Sequence, residues 1–404
     1  MERVNQKFTK QAAFFFSLMS EPLFTVYGFA PIILRKDLGG TAFQIALLTM
    51  LKPLVSILSF YWSSFFTKRS EALRKNFFWA NLFSRVPFLL FPWVENSWFL
   101  VGASALYMLF SRAASPAYIE ILRRNLSKEE RNKVFSWSYA LSYLEGMLLA
   151  IGVGLLLDRD PIFWKLLFFI SAGIGILSLG IFKKVAIEES FEEEKKEGLT
   201  FKEHLIKPWK EGLSLMQTRP DFSRFQWGFM FAGFAIMLIQ PALPLLFVDY
   251  LKISYVNFSL ASLTCKGLFI ALSSPFWGRL MTRYSIFQVS SLVFFLVALF
   301  PFFLFFSIGN MFWLYVAFAF YGIAQGGSHL VWHLSGAVFS GKKDSSVYTG
   351  INVMMIGVRG AIAPPLGSFF CILLGPFAVF FFSLFLCLMG VFVIQRKSSV
   401  EEIA

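Results

Sequence analysis

Of the chain's 404 residues, 57% are hydrophobic and 15% charged, where a soluble domain carries about 25% charged. With 53 phenylalanines, this excludes a soluble globular chain and indicates a polytopic membrane protein. The net charge of +13 comes from bases scattered through short loops, which argues against a nucleic-acid-binding face.

Crossing a bilayer takes about 20 mostly apolar residues per helix. Twelve segments qualify: 11–34, 42–66, 77–94, 98–122, 134–157, 161–182, 224–248, 255–281, 286–308, 311–338, 347–374 and 376–395. The first is too long for a cleavable signal, and no small-residue cleavage site follows it. It carries Glu21 directly before Pro22. Span 2 contains LLTMLKPL with Lys52. Span 3 places Arg85 four residues after Asn81, a spacing that predicts a structural polar contact. Span 4 reads LFSRAASP, with Arg112, and span 5 has Glu145 before Gly146.

Residues 183–223 form a polar connection whose EESFEEEKKEG run reads as a solvated linker. After it, Thr200 and Glu203 fit a capping box. Phe201, Leu205, Trp209, Leu213 and Met216 then recur near helical spacing. This predicts a short amphipathic helix on the inner membrane surface, against the opposing signal of Pro208. Span 7 has Gln240 before Pro241. Span 8 contains SLTCKGLF with Lys266. Span 10 sets Gln325, His329 and His333 on one face, and span 11 reads GVRGAIAPPLG around Arg359. The two histidines could ligate zinc at that spacing, but no third ligand is evident, so no metal is expected. The cysteines Cys265, Cys371 and Cys387 fall in apolar runs without disulfide or metal spacing. No nucleotide-binding loop is present, so no cofactor or ATP-driven step is expected.

With the N-terminus placed inside, the inner segments hold 27 of the 37 basic residues and the outer loops five: Arg35, Lys36, Arg159, Lys165 and Lys252. Both termini are therefore expected to be cytoplasmic. The chain also repeats. WSSFFTK (62–68) pairs with WGRLMTR (277–283), and Leu48-Thr49 with Leu263-Thr264, at an offset of 215. KVFS (133–136) pairs with SVYT (346–349), and Pro31 and Leu38 with Pro244 and Leu251, at 213. Matches in order at nearly constant offset indicate duplication. The expected organisation is all-α, twelve transmembrane helices in two pseudo-symmetric six-helix halves: 1–182, a cytoplasmic linker 183–223, and 224–404.

Twelve spans, a six-plus-six repeat and a central inner linker over essentially the whole chain resemble the major facilitator superfamily of transporters. The second copy of that family's Gly-x-Leu-x-Asp-Arg loop pattern is matched by Gly278, Leu280 and Arg283, with Arg279 between them and Thr282 in place of the Asp. The first copy keeps only its final base, Lys68. The Asp's absence departs from the usual charge latch. Arg112 stands where the family has a fourth-span Arg, and YLEGMLLAIGVG lacks the exporters' fifth-span Gly-Pro motif, which favours uptake. The resemblance implies that spans 1, 4, 7 and 10 line a cavity, flanked by 2, 5, 8 and 11.

Charges at membrane depth are costly and mark function by default. Seven sit near span centres: Glu21, Lys52, Arg85, Arg112, Glu145, Lys266 and Arg359. All but Arg85 fall on the lining or flanking spans that the resemblance implies. The excess of cations predicts a small anionic substrate, bound by Lys52, Lys266 and Arg359 with Gln325 and Gln240 as polar contacts. Against this, each lysine could instead pair with a carboxylate or snorkel, and Arg359 could satisfy carbonyls freed by Pro364-Pro365. With the Leu-Thr pairs aligned, Lys266 falls opposite Leu51, about 100° around a helix from Lys52. Glu21, Glu145 and Arg112 are candidates for proton coupling; a static Glu145–Arg112 ion pair is the alternative. The expected protein is a monomeric secondary transporter of the inner (plasma) membrane, a proton symporter in outline and not an enzyme. The rivals are an exporter of apolar or cationic compounds and a transporter-like sensor that moves nothing.

Overall fold

The computed structural model describes residues 2–65, 70–187, 201–340 and 346–396. Among them the regular structure is entirely helical. In chain order the α-helices are α1 (Glu2–Gly28), α2 (Ala30–Lys36), α3 (Ala42–Phe65), α4 (Ser70–Arg85), α5 (Ser97–Asn125), α6 (Lys128–Arg159), α7 (Phe163–Phe182) and α8 (Phe201–Thr218). They continue as α9 (Pro220–Ile239), α10 (Ala242–Leu245), α11 (Tyr255–Phe258), α12 (Lys266–Arg283), α13 (Ile286–Phe306), α14 (Phe312–Ser340), α15 (Ser346–Leu374) and α16 (Pro376–Gln395).

These give the twelve spans. α1 with α2, α9 with α10, and α11 with α12 each make one span, and α8 lies in the central connection. Among the described residues, eight stretches are long and apolar enough to cross a membrane on hydropathy alone. The other four spans belong to α3, α4, α5 and α14. The apolar part of α3 is described only from Ala42 to Val55, and the other three are diluted by polar residues such as Asn76, Arg112 and His329.

Proline decides several breaks. α4 stops at Arg85, and Val86–Leu90 continue as a 3-10 turn, because Pro87 has no N–H to donate and disfavours helix at the residue before it. After Pro241 and Pro244, Leu246–Tyr250 widen into a π-helical turn. A second π segment, Ser259–Cys265, runs directly into Lys266. A π-bulge is how a helix accommodates an extra residue. Here it lies where the repeat offset grows from 213 at Leu38/Leu251 to 215 at Leu48/Leu263. α8 runs unbroken through Pro208, so that proline does not end the helix; Thr200 lies outside the described residues. Gly212 sets α8 against α15, where a Cβ would meet Ile351 at 3.1 Å and Met354 at 3.2 Å.

Cα proximity divides the chain into two compact units. The first is Met1–Gly40, Val55–Lys195 and Ser254–Leu260; the second is Thr41–Leu54, Lys196–Ile253 and Ala261–Ala404. In the first, α1 packs on α6 and α7, and α4 on α5. Its core joins Ala12, Ala13, Phe77, Ala113 and Phe182, and a second layer stacks Phe88 on Phe168 at 5.1 Å. Ser254–Leu260 belongs here because Asp158, at the end of α6, accepts hydrogen bonds from the free amides of Tyr255 (2.6 Å) and Val256 (2.9 Å), and the Tyr255 hydroxyl donates to Asp37. In the second unit, α13 packs on α14 and α16, α9 on α16, and α12 on α14. Trp277, the repeated tryptophan, is wholly buried there. It donates Nε1–H to the Ile323 carbonyl at 2.8 Å and lies over Gly327, where a Cβ would come within 2.6 Å of the indole.

Candidate functional site

Within the first unit, α1, the end of α4, α5 and α6 line an open cavity of about 260 Å³. Glu21 enters it from α1 one residue before Pro22, at a point where the helix lacks an amide donor. Its carboxylate lies against Gly146 of α6, where a Cβ would sit 2.6 Å from Oε1. Glu145 is the neighbouring residue, half-buried, and its Oε2 is buried with no hydrogen-bond partner. The alternative of a Glu145–Arg112 ion pair is not realised among the described residues. Arg112 stands half-buried on α5.

Arg85 is the residue whose importance the sequence understated. The expected contact with Asn81 is present: Nη1 donates to the Asn81 backbone carbonyl (2.9 Å) and to its side-chain Oδ1 (2.7 Å). Nη2 also reaches Ser20 of α1 at 2.9 Å, and the side chain lines the same cavity as Glu21. It is 4% exposed. Gly175 of α7 makes room, since a Cβ there would lie 2.5 Å from Nε. The available signal was Asn81 and Arg85 at i, i+4, ahead of the proline that ends α4 at membrane depth.

In the second unit, α14 carries a polar and aromatic stripe: Tyr321, Gln325, His329 and Trp332 recur at one helical face. Lys266, the first residue of α12, sets Nζ 5.7 Å from the centre of the Tyr321 ring. Arg359 of α15 lies over Trp332 at 5.8 Å. Its Nη1 donates to the Phe229 carbonyl of α9 at 2.6 Å, in a space that exists because residue 233 is glycine: a Cβ there would fall 2.2 Å from Nη1. Arg359 is buried, its Nε has no partner, and among the described residues no carboxylate pairs with it. The carbonyl that it meets belongs to α9, not to the Pro364-Pro365 break. Gln325 and His329 approach at 3.4 Å, and Gln325 Oε1 is buried without a partner. His333 is exposed. Gln240 caps α9, half-buried, with Nε2 3.4 Å from the Ile236 carbonyl.

The side chain of Lys52 lies outside the described residues, but its place in the chain is informative. Pro53 packs on Gly360, where a Cβ would lie 2.1 Å from it, so the residues following Lys52 and Arg359 touch. Among the loop-motif residues, Arg279 and Arg283 are exposed and Gly278 half-buried; Lys68 lies outside the described residues.

The family model described as Major Facilitator Superfamily matches residues 12–328 and, in a second copy, 225–402. Comparison with curated proteins gives no match. Among solved structures, the nucleoside transporter NupG, crystallised as a point mutant, superposes with a TM-score of 0.69 at 13% identity, covering 96% of this chain and 99% of that one. A bacterial homologue of the human lysosomal transporter Spinster, solved inward-facing and unoccupied, gives 0.62 at 13% identity, covering 96% and 94%. At that identity the likeness concerns the fold.

Proposed function

The chain belongs to the Major Facilitator Superfamily, and we propose that it is a secondary active transporter of the inner (plasma) membrane. It moves a small metabolite bearing an anionic group by alternating access, with protons as the coupling ion. The observation that carries this reading is the pair of cations on the α14 stripe. Arg359 is buried without a carboxylate partner among the described residues, against the same helix face that Lys266 meets. An uncompensated guanidinium in a water-poor site favours an anion and can hold it bidentately. Lys52, Gln325 and Gln240 are the further substrate contacts of this reading, and Glu21 or Glu145 carries the proton, with Arg112 as the third member of the coupling set.

Uptake into proteoliposomes holding the full chain, driven by an imposed pH gradient, tests it. Accumulation that collapses with a protonophore is expected. Lys266→Met and Lys52→Met are expected to weaken the apparent affinity for the transported anion. Unchanged affinity in both variants overturns the anion site. Intact uphill uptake in both Glu21→Gln and Glu145→Gln overturns the proton assignment. Flux of apolar or cationic compounds alone favours the exporter reading, and no flux of any solute favours the sensor.

A further inference from the structure

The cavity of the first unit holds a guanidinium and a carboxyl group that do not pair. Arg85 reaches Asn81 and Ser20 but no carboxylate, and Glu21 meets no base, among the described residues. Both line the same space of about 260 Å³. Two buried polar atoms of these side chains also lack hydrogen-bond partners: Oγ of Ser138, and Nε of Arg85, which faces Gly175 of α7, on residues 5% and 4% exposed. Each such atom costs about 1–3 kcal/mol if nothing meets it, and an unpaired buried charge costs more.

A purely structural ion pair would have closed the gap. Small residues already let both side chains in, at Gly146 and Gly175. The arrangement keeps the charges apart and surrounds them with hydroxyls, those of Ser17, Ser20, Ser111 and Tyr107 among them. A ligand with one negative and one positive group satisfies both ends at once. The volume lies just below the roughly 300–1,000 Å³ of ordinary ligand pockets, so the ligand is small.

We propose that this cavity binds a small zwitterion of the α-amino acid type, its carboxylate on Arg85 and its ammonium on Glu21, with Ser138 as a further hydrogen-bond partner. The assignment goes beyond the transport reading: it is a second ligand site, in addition to the anion contacts of Arg359 and Lys266. Glu145, with its unpartnered Oε2, is left as the proton carrier.

The test is binding to the purified full chain in detergent, by titration calorimetry. The probes are the twenty L-amino acids and glycine betaine. Each amino acid that binds is repeated as its deaminated acid and its decarboxylated amine. At least one amino acid is expected to bind, with both matched compounds weaker by roughly tenfold or more. Arg85→Lys and Ser138→Ala are expected to weaken it. Glu21→Gln is expected to erase the preference for the amino acid over its deaminated acid, a change in selectivity that a folding defect does not produce. Binding by none of the probes overturns the proposal. So does equal affinity for the deaminated acid, or an unchanged preference in Glu21→Gln, which would make the two charges a water-bridged structural pair. Flux of a simple anion without amino acid binding would remove this assignment and leave the transport reading standing. Amino acid binding without flux would do the reverse.

Discussion

The placement of Arg359 depends on an absent methyl group, which makes its role measurable. In Gly233→Ala the new Cβ would stand 2.2 Å from Nη1, 2.3 Å from Cζ and 2.7 Å from Nε of Arg359, too close for any rotation of the methyl to relieve. Either α9 and α15 separate or the guanidinium leaves the Phe229 carbonyl. Overpacking costs about 1–3 kcal/mol, and losing a hydrogen bond from a charged group about 1.5–3 kcal/mol, so by either route Gly233→Ala is expected to destabilise by roughly 1–3 kcal/mol. In Arg359→Met the bond is lost but the space is relieved. The double variant then carries little of the clash, and its cost falls short of the sum of the singles by 1 kcal/mol or more, within the range measured for contacting residues of about 0.5–3 kcal/mol. Denaturant titration of the purified protein in detergent, followed by tryptophan fluorescence, reads the cycle. If the two substitutions add, Arg359 does not occupy the Gly233 space, and the picture of a guanidinium wedged between α9 and α15 is wrong.

Gly146→Ala pushes a Cβ to 2.6 Å from Oε1 of Glu21 and should depress pH-driven uptake at least as much as Glu21→Gln; normal uptake would show that Glu21 has another resting place. Trp277→Phe removes the donor to the Ile323 carbonyl and leaves a gap over Gly327. An interhelical hydrogen bond in a membrane bundle contributes about 0.6–2 kcal/mol, so a loss of that order plus a cavity penalty is expected in the same denaturant titration. Asp37, in the loop after α2, has its carboxyl held above the ordinary aspartate range, because burial outweighs the opposing effects of the Tyr255 hydroxyl and Lys36. The packed arrangement therefore binds the proton more tightly than the open chain does. Its contribution is complete in acid and lost as pH rises through the raised value. Asp37→Asn should raise thermal stability near neutral pH and leave it unchanged in acid; an equal effect at both would contradict the linkage. Asp158→Ala strips the acceptor from the Tyr255 and Val256 amides. It should speed backbone amide exchange in Ser254–Leu260 while leaving that of α13 unchanged.

Hydropathy and internal sequence matches determined twelve spans, the repeat and the helix after the linker, because a bilayer imposes length and a backbone must satisfy itself along each helix. Those constraints are local, so they are written in consecutive residues. The pairing of side chains across helices is not local. Glu21 and Glu145 stood out in the sequence as buried carboxylates, yet only Gly146 brings one against the neighbour of the other. Arg85 read as a contact with its own helix, and its reach to Ser20 and into the cavity beside Glu21 depends on where α1 and α7 pass. The α14 stripe was half legible: Gln325 and His329 showed as a polar face, while Tyr321 and Trp332 merged into an apolar background rich in aromatics.

The two Leu-Thr…Lys runs marked duplication correctly, but not a symmetric pair of lysines. A π-helical turn before Lys266, with no counterpart in α3, changes the winding there, and no periodicity in the sequence announces it. The sequence by itself determined which residues are charged at membrane depth. Which of those charges remain without a counter-charge among the described residues was decided by glycines on facing helices, because only the folded packing sets the distance between two side chains.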